Sequence, residues 1–130
     1  MIMVSHEAHK RGVAHVVVTH AMASPIQMTI PQMQEVVKDG TYIEFVYGAT
    51  KEAHPVVSVA DYVKAMQAIG VKWCVLGTDY GSVVKPPAPE RSLEPDGMLE
   101  FMKELHQDGL SVDDVNMMAK SNPVAAFGLK

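Results

Sequence analysis

Cysteine is nearly missing from this sequence. Cys74 is the single one in 130 residues, so the chain cannot close a disulfide on itself. It sits inside an apolar run, where a lone cysteine behaves as a small buried hydrophobe, and this usage points to a reducing, cytoplasmic setting. Long apolar stretches are also lacking: none approaches the roughly 18 residues that a bilayer span requires. The amino terminus carries His6, Glu7, His9, Lys10 and Arg11 and is too polar for a signal peptide, so a soluble protein with no membrane partner is expected. Positive charge is scarce and scattered, with 11 basic against 15 acidic residues and a net charge of -4. That balance, without a basic stripe, argues against nucleic acid and anionic lipid as partners. No GxGxxG or Walker sequence is present, which removes the usual support for a phosphate-binding loop.

What is there is a thrice-repeated pattern: an apolar run ends in a polar or turn residue and a helical segment follows. The runs are Val16-Val17-Val18-Thr19-His20, then Tyr42-Ile43-Glu44-Phe45-Val46-Tyr47-Gly48, then Trp73-Cys74-Val75-Leu76-Gly77-Thr78-Asp79. Runs spaced by about thirty residues with a helix between each pair are the mark of consecutive βα units in a parallel sheet, the class of fold that places chemistry at the carboxyl ends of its strands. A helix end stopped by Gly12 precedes a first strand over residues 13–19. Thr29 with Gln32 and Pro31 starts a helix buried through Met33, Val36 and Val37 and stopped by Gly40. Ser58 with Asp61 starts another, with Val59, Tyr62, Val63, Met66 and Ile69 on its apolar face and Gly70 at its end. A proline-rich loop over residues 83–95, with Pro86, Pro87 and Pro89, is long enough to suggest a functional role. Asp96 is then a candidate cap for a helix facing inward through Leu99, Met102 and Leu105, with Met98 and Phe101 beside them and Gly109 at its end. Ser111 with Asp114 opens a last helix bearing Val115, Met118 and Ala119, which Asn122-Pro123 is expected to break. Many of the ten methionines fall at helical core spacing and read as adaptable filling. No linker interrupts residues 1–130, so a single α/β domain is expected.

Alternation along the strands selects the residues that could carry chemistry. In the second strand Ile43, Phe45 and Tyr47 form the apolar set, which turns Glu44 toward the opposite side with Tyr42 and Val46. A carboxylate there needs a partner, a metal or a structural hydrogen bond. The same reading puts Trp73, Val75, Gly77 and Asp79 on one face of the third strand, and Val16, Val18 and His20 on the corresponding face of the first. His20, Glu44 and Asp79 would then look the same way. Imidazole and carboxylate are the usual ligands of a hydrolytic zinc or similar divalent ion, and a carboxylate can also act as general base toward bound water. Each residue has a plainer reading: His20 as a structural histidine, Asp79 as the maker of the turn before Tyr80-Gly81, and Glu44 as half of an ion pair. His54, before Pro55, either reaches the same rim to bind substrate or is an exposed loop histidine. His6, His9, His15 and His106 have no evident partner in the sequence. Lys85 and Arg91 could meet an anionic group or simply be solvated surface charge.

The stretches Val16-Val17-Val18-Thr19-His20, Gly40-Thr41-Tyr42-Ile43-Glu44, Leu76-Gly77-Thr78-Asp79-Tyr80-Gly81 and Asn122-Pro123-Val124-Ala125-Ala126-Phe127-Gly128-Leu129 together resemble the last three βα units of a metal-dependent amidohydrolase, of the uncharacterised bacterial and archaeal branch. The resemblance spans nearly the whole chain and implies a (β/α)8 TIM barrel, incomplete here. It implies that His20 ends the sixth strand and binds metal or substrate, and that Asp79 ends the eighth, binds metal and handles the proton of the attacking water. The family's paired histidines on the first strand, and its ligands on the fourth and fifth, have no counterpart in this sequence.

At 130 residues the chain is about half of the roughly 250 typical of a closed barrel. Three functions follow. The chain is a fragment or subunit of a metal-dependent hydrolase acting on a small molecule, with zinc the expected metal and an amino-terminal complement or another copy supplying the missing strands. Alternatively it is a non-catalytic oligomerisation or binding module descended from such a barrel, or else a small flavodoxin-like domain that binds a ligand at its strand ends. Unpaired strand edges in a three-stranded remnant favour an oligomer over a monomer in the first two cases.

Overall fold

A computed structural model describes residues 1–80 and 94–129 of the chain. Most of the proline-rich loop, including Lys85 and Arg91, lies outside the described residues. In chain order the elements are α1 (Ile2–Lys10), β1 (Val17–Val18), α2 (Ile30–Val37), β2 (Tyr42–Val46), a 3-10 segment (Tyr47–Lys51), α3 (Val59–Ile69), a 3-10 turn (Val71–Trp73), β3 (Cys74–Gly77), α4 (Glu94–Gln107), α5 (Val112–Asn116), a π turn (Met117–Ser121) and α6 (Asn122–Ala126). The strands form one parallel sheet in the order β1-β2-β3, so the α/β character with parallel pairing holds.

Local signals fix the helix starts. Gln32 Oε1 accepts the Thr29 amide hydrogen at 2.8 Å ahead of α2. At α3 the exchange is reciprocal, with Ser58 Oγ accepting from the Asp61 amide at 3.2 Å and Asp61 Oδ2 from the Ser58 amide at 3.1 Å. Each bond satisfies an amide that has no partner within its helix. Gly12, Gly40 and Gly70 follow α1, α2 and α3 with φ of 84°, 88° and 89°, the left-handed backbone that lets the chain leave a helix and enter a strand.

Pairing of β2 with β3 matches Ile43 with Cys74, Glu44 with Val75, Phe45 with Leu76 and Val46 with Gly77. Ile43, Phe45, Cys74 and Leu76 therefore share the face against the helices, where they are buried with Met33 and Val36 of α2 and Tyr62 and Met66 of α3. Cys74 is the small hydrophobe expected, and burial pushes its thiol pKa far up, which keeps it protonated and inert.

Five sequence expectations give way. β1 is shorter than residues 13–19, because Val13 to Val16 do not pair as strand and the ladder begins at Val17. Val18 pairs with Ile43 and lies in the helix-side core, so it does not share a face with Glu44. Asp96 is not the cap of α4: the helix begins at Glu94, and Asp96 falls in its first turn. That helix turns Phe101 and Leu105 fully inward while Leu99 is exposed, since Phe101 stacks on Tyr47 at a centroid distance of 5.0 Å and sets the rotation.

The fifth concerns Asn122-Pro123, which does not break the carboxyl-terminal helix. A π turn over Met117–Ser121 leads into α6, and Pro123 falls in the first turn, where its missing N–H is not needed. Asn122 is buried and donates from Nδ2 to the carbonyls of Val71 at 2.8 Å and Cys74 at 2.7 Å, tying α6 to the entry of β3. At the other end of the chain, Ser5 Oγ and His9 Nε2 of α1 lie 2.6 Å and 2.9 Å from Oγ1 of the buried Thr41, which seats α1 at the start of β2.

Replacing Asn122 with Ala leaves both carbonyls without their donor. The expected cost is about 1–3 kcal/mol, read as a lower urea midpoint with an unchanged m-value.

Candidate functional site

β1 and β3 flank β2, so their backbones are two strand spacings apart, about 10 Å. Their carboxyl-terminal residues nevertheless meet. His20 lies two residues beyond the end of β1 and Asp79 two beyond the end of β3, and His20 Nδ1 approaches Asp79 Oδ2 to 3.9 Å above the end of β2. Both side chains are partly exposed, at 38% and 44%, and so are reachable by a ligand.

Matching backbone turns bring this about. His20 has φ of 55° and Asp79 φ of 54°, left-handed values for residues that are not glycine. Such conformations cost on the order of 1–3 kcal/mol each and persist where the surroundings hold them; aspartate and histidine tolerate them better than most residues. Main-chain bonds stitch the tips on either side: the Ala21 amide donates to the Glu44 carbonyl at 3.3 Å, and the Gly48 amide donates to the Thr78 carbonyl at 2.8 Å. Gly48 occupies the corresponding place after β2, two residues past Val46.

Glu44 is half-buried on the face of β2 opposite the helices, as the alternation predicted. Burial pushes its pKa above the ordinary carboxylate range and the charge of Asp79 adds to this, while the nearness of His20 opposes it. Space for the side chain comes from Gly77: a Cβ there would stand 2.6 Å from Glu44 Oε1. A glycine within a strand often marks such a close approach, and that was the available signal for Gly77, which the motif reading passed over.

The structure thus brings His20, Glu44 and Asp79 together. His54 lies exposed on the turn before α3, and none of the hydrogen bonds or ion pairs among the described residues ties it to the other three. The remaining histidines lie near other groups, although His6 Nε2 is buried without a hydrogen-bond partner among the described residues. His9 bonds Thr41, His106 Nδ1 lies 2.8 Å from the Leu110 carbonyl, His6 Nε2 is 3.5 Å from an Asp39 oxygen, and His15 packs over Gly128.

A second polar group follows β2 directly. Tyr47 donates its hydroxyl to Glu104 Oε1 at 2.6 Å, and Lys51 Nζ donates to the same oxygen at 2.8 Å while lying 4.7 Å from the Tyr47 ring centre. Burial, reinforced by the bond to Glu104, pushes the Tyr47 hydroxyl pKa up to about 12. Burial works against ionised Glu104, but the bonds from Lys51 and Tyr47 and the Lys51 charge outweigh it and hold the carboxyl below its ordinary value. Tyr80, next to Asp79, stacks on Tyr47 at 5.9 Å, so this cluster buttresses the rim.

As metal donors the rim residues are incomplete. Among the described residues no group of three or more histidine, cysteine, aspartate or glutamate side chains is placed to hold an ion. His20 and Asp79 offer two donors, and Glu44 is half-buried on the face of β2 opposite the helices. A catalytic zinc ordinarily takes three protein ligands and a water.

No protein-family model matches the chain, and no curated protein does. Among solved structures it is similar to a beta-aspartyl dipeptidase from the thermophilic, keratin-degrading Fervidobacterium islandicum AW-1, crystallised with a beta-Asp-Leu dipeptide. The TM-score is 0.64 at 15% identity, and the match covers 98% of this chain but 34% of the dipeptidase. This is a likeness of fold, and the chain spans about a third of the length of the protein it matches.

The buttress sets a pH dependence. Glu104 has a depressed carboxyl pKa in the fold, so its contribution to stability is present above the unfolded carboxylate value of about 4.3 and is lost as pH falls through the folded value. Wild type should therefore melt above Glu104→Gln at pH about 7, with the gap narrowing as melts are run toward pH about 3.

Proposed function

We propose that these 130 residues form the carboxyl-terminal βα units of a metal-dependent hydrolase of the amidohydrolase kind, with a (β/α)8 barrel completed by strands from outside them. The observation that carries this reading is the approach of His20 Nδ1 to Asp79 Oδ2 at 3.9 Å across the carboxyl ends of a parallel sheet. It is supported by a fold likeness that takes in nearly all of this chain and a third of a dipeptidase.

His20 and Asp79 are two donors of a divalent-metal shell, with zinc the expected ion, and at least one further ligand comes from the complementing strands. The metal's contribution, when bound, is an acidified water for attack on an amide or ester. This chain's own part is to hold the imidazole and the carboxylate at one rim, with Asp79 placed to accept a proton and partial exposure leaving both open to a small substrate. His54 would line the substrate side only after a change of the loop that now exposes it.

The partner follows from the sheet. β1 and β3 are its outer strands, and their outer edges pair with no strand among the described residues. Such edges template pairing with another segment, in a second copy or in a complementing amino-terminal half. The incomplete donor set also agrees with a second reading, a non-catalytic oligomerisation module on the same scaffold.

The test is the mass and metal content of the protein recovered from its own cells with whatever accompanies it. The expected result is an assembly heavier than 14.2 kDa that holds stoichiometric zinc or a similar ion, loses it on Asp79→Asn, and cleaves beta-Asp-Leu or a related dipeptide. A metal-free oligomer selects the module, and metal that survives Asp79→Asn overturns the ligand assignment.

A further inference from the structure

Resting on the reading of His20 and Asp79 as one site, we propose that Tyr80 is the positioning residue that holds Asp79 against His20, and that α4 serves the site through Gly97, which gives the Tyr80 ring its seat.

Asp79 is a strained residue between two anchors. Its φ of 54° is a left-handed value that persists only where the neighbouring residues are held. On the amino side the buried Thr78 is tied through its carbonyl, which accepts the Gly48 N–H at 2.8 Å. That main-chain bond fixes the approach to the turn and leaves its exit to residue 80. The side chain of Tyr80 supplies the second anchor, since its ring stacks on that of Tyr47 with centroids 5.9 Å apart and planes 27° from parallel.

Tyr47 is a firm platform for that stack. It is almost wholly buried, its ring lies 5.0 Å from that of Phe101 at 18°, and its hydroxyl donates to Glu104 Oε1 at 2.6 Å. Phe101 and Glu104 belong to α4, and Gly97 lies one turn before Phe101. Spacings of four and three residues place all three on one stripe of the helix. The same stripe therefore holds Tyr47 by its ring and its hydroxyl and meets Tyr80 at Gly97.

Gly97 is where α4 receives Tyr80. A Cβ at this buried position would stand 2.3, 2.7 and 3.0 Å from Cε2, Cδ2 and Cζ of the ring. Three atoms of one rigid ring are involved, so relief requires the whole ring to turn, and turning takes it off Tyr47. The backbone of Gly97 is not among those with positive φ, and glycine within a helix is less favourable than alanine, so the requirement is for room. Asp79 and His20 remain the groups presented to a ligand, and Tyr80 acts through the backbone it shares with Asp79.

The test is NMR on the full chain without metal or substrate, reading the His20 imidazole resonances at one fixed pH with Asp79→Asn as the reference for a broken pair. Tyr80→Ala and Gly97→Ala should each shift those resonances most of the way to their Asp79→Asn positions, and leave the amides of Phe45 and Leu76 in the core unmoved. Tyr80→Phe keeps the ring and should keep the wild-type positions. His20 resonances unmoved in Asp79→Asn or in either alanine variant, a Tyr80→Phe spectrum matching that of Tyr80→Ala, or displacement of the two core amides as well overturns the proposal. If Tyr80→Ala does not fold, Gly97→Ala and Tyr80→Phe decide by the same criteria. Because the readout needs no ion, a chain that proves to be a metal-free oligomer removes the hydrolase reading and leaves this result distinct.

Discussion

The register of β2 against its two neighbours is the constraint on which the rest depends. One offset fixes Ile43 and Phe45 against Cys74 and Leu76 on the helix side, and the same offset places Glu44 beside Val75 and Gly77 on the other. A slip of one residue would exchange the two sets, putting a carboxylate among Met33, Tyr62 and Met66 and turning a phenylalanine out of the core. Burial of the apolar set therefore does more than stabilise the sheet. It determines which side chain lies under His20 and Asp79.

Much of this was legible in the sequence because it rests on periodicity. β1 and β3 end at the polar or turn residues that close their apolar runs, α2 and α3 begin at their capping pairs, and Glu44 turns away from the core as alternation requires. The convergence of His20 with Asp79 was also anticipated, but by the wrong route. Alternation was extended through Val18 to His20, whereas Val18 belongs to the core and a left-handed turn redirects the histidine. A backbone conformation of that kind leaves no periodic trace. The orientation of α4 was missed for a related reason: the aromatic contacts of Phe101 with Tyr47 and Tyr62, from residues distant in sequence, choose among several apolar stripes on that helix.

Polar side chains outside the candidate site serve as joints. Ser5, His9 and Thr41 dock the first helix, while Tyr47, Lys51 and Glu104 bind the end of β2 to α4. Each joint links elements far apart along the chain, so local sequence context gives no hint of it. Their placement ties the sheet to its surroundings at both ends: Thr41 precedes β2, and Tyr47 follows it.

The π turn before Asn122 adds a consequence for how the protein can vary. A turn of this type houses one more residue than an α-helical turn, so residues 117–121 absorb an extra residue while Asn122 keeps its bearing on the Val71 and Cys74 carbonyls. Trimming a single residue from that stretch would restore ordinary helical winding with little change in the direction of the amide, whereas trimming one from an α-helical stretch turns everything beyond it by roughly 100° about the axis. The segment can thus lose one residue and keep the Asn122 bonds, while the buried Val115 and Met118 restrict what may replace them.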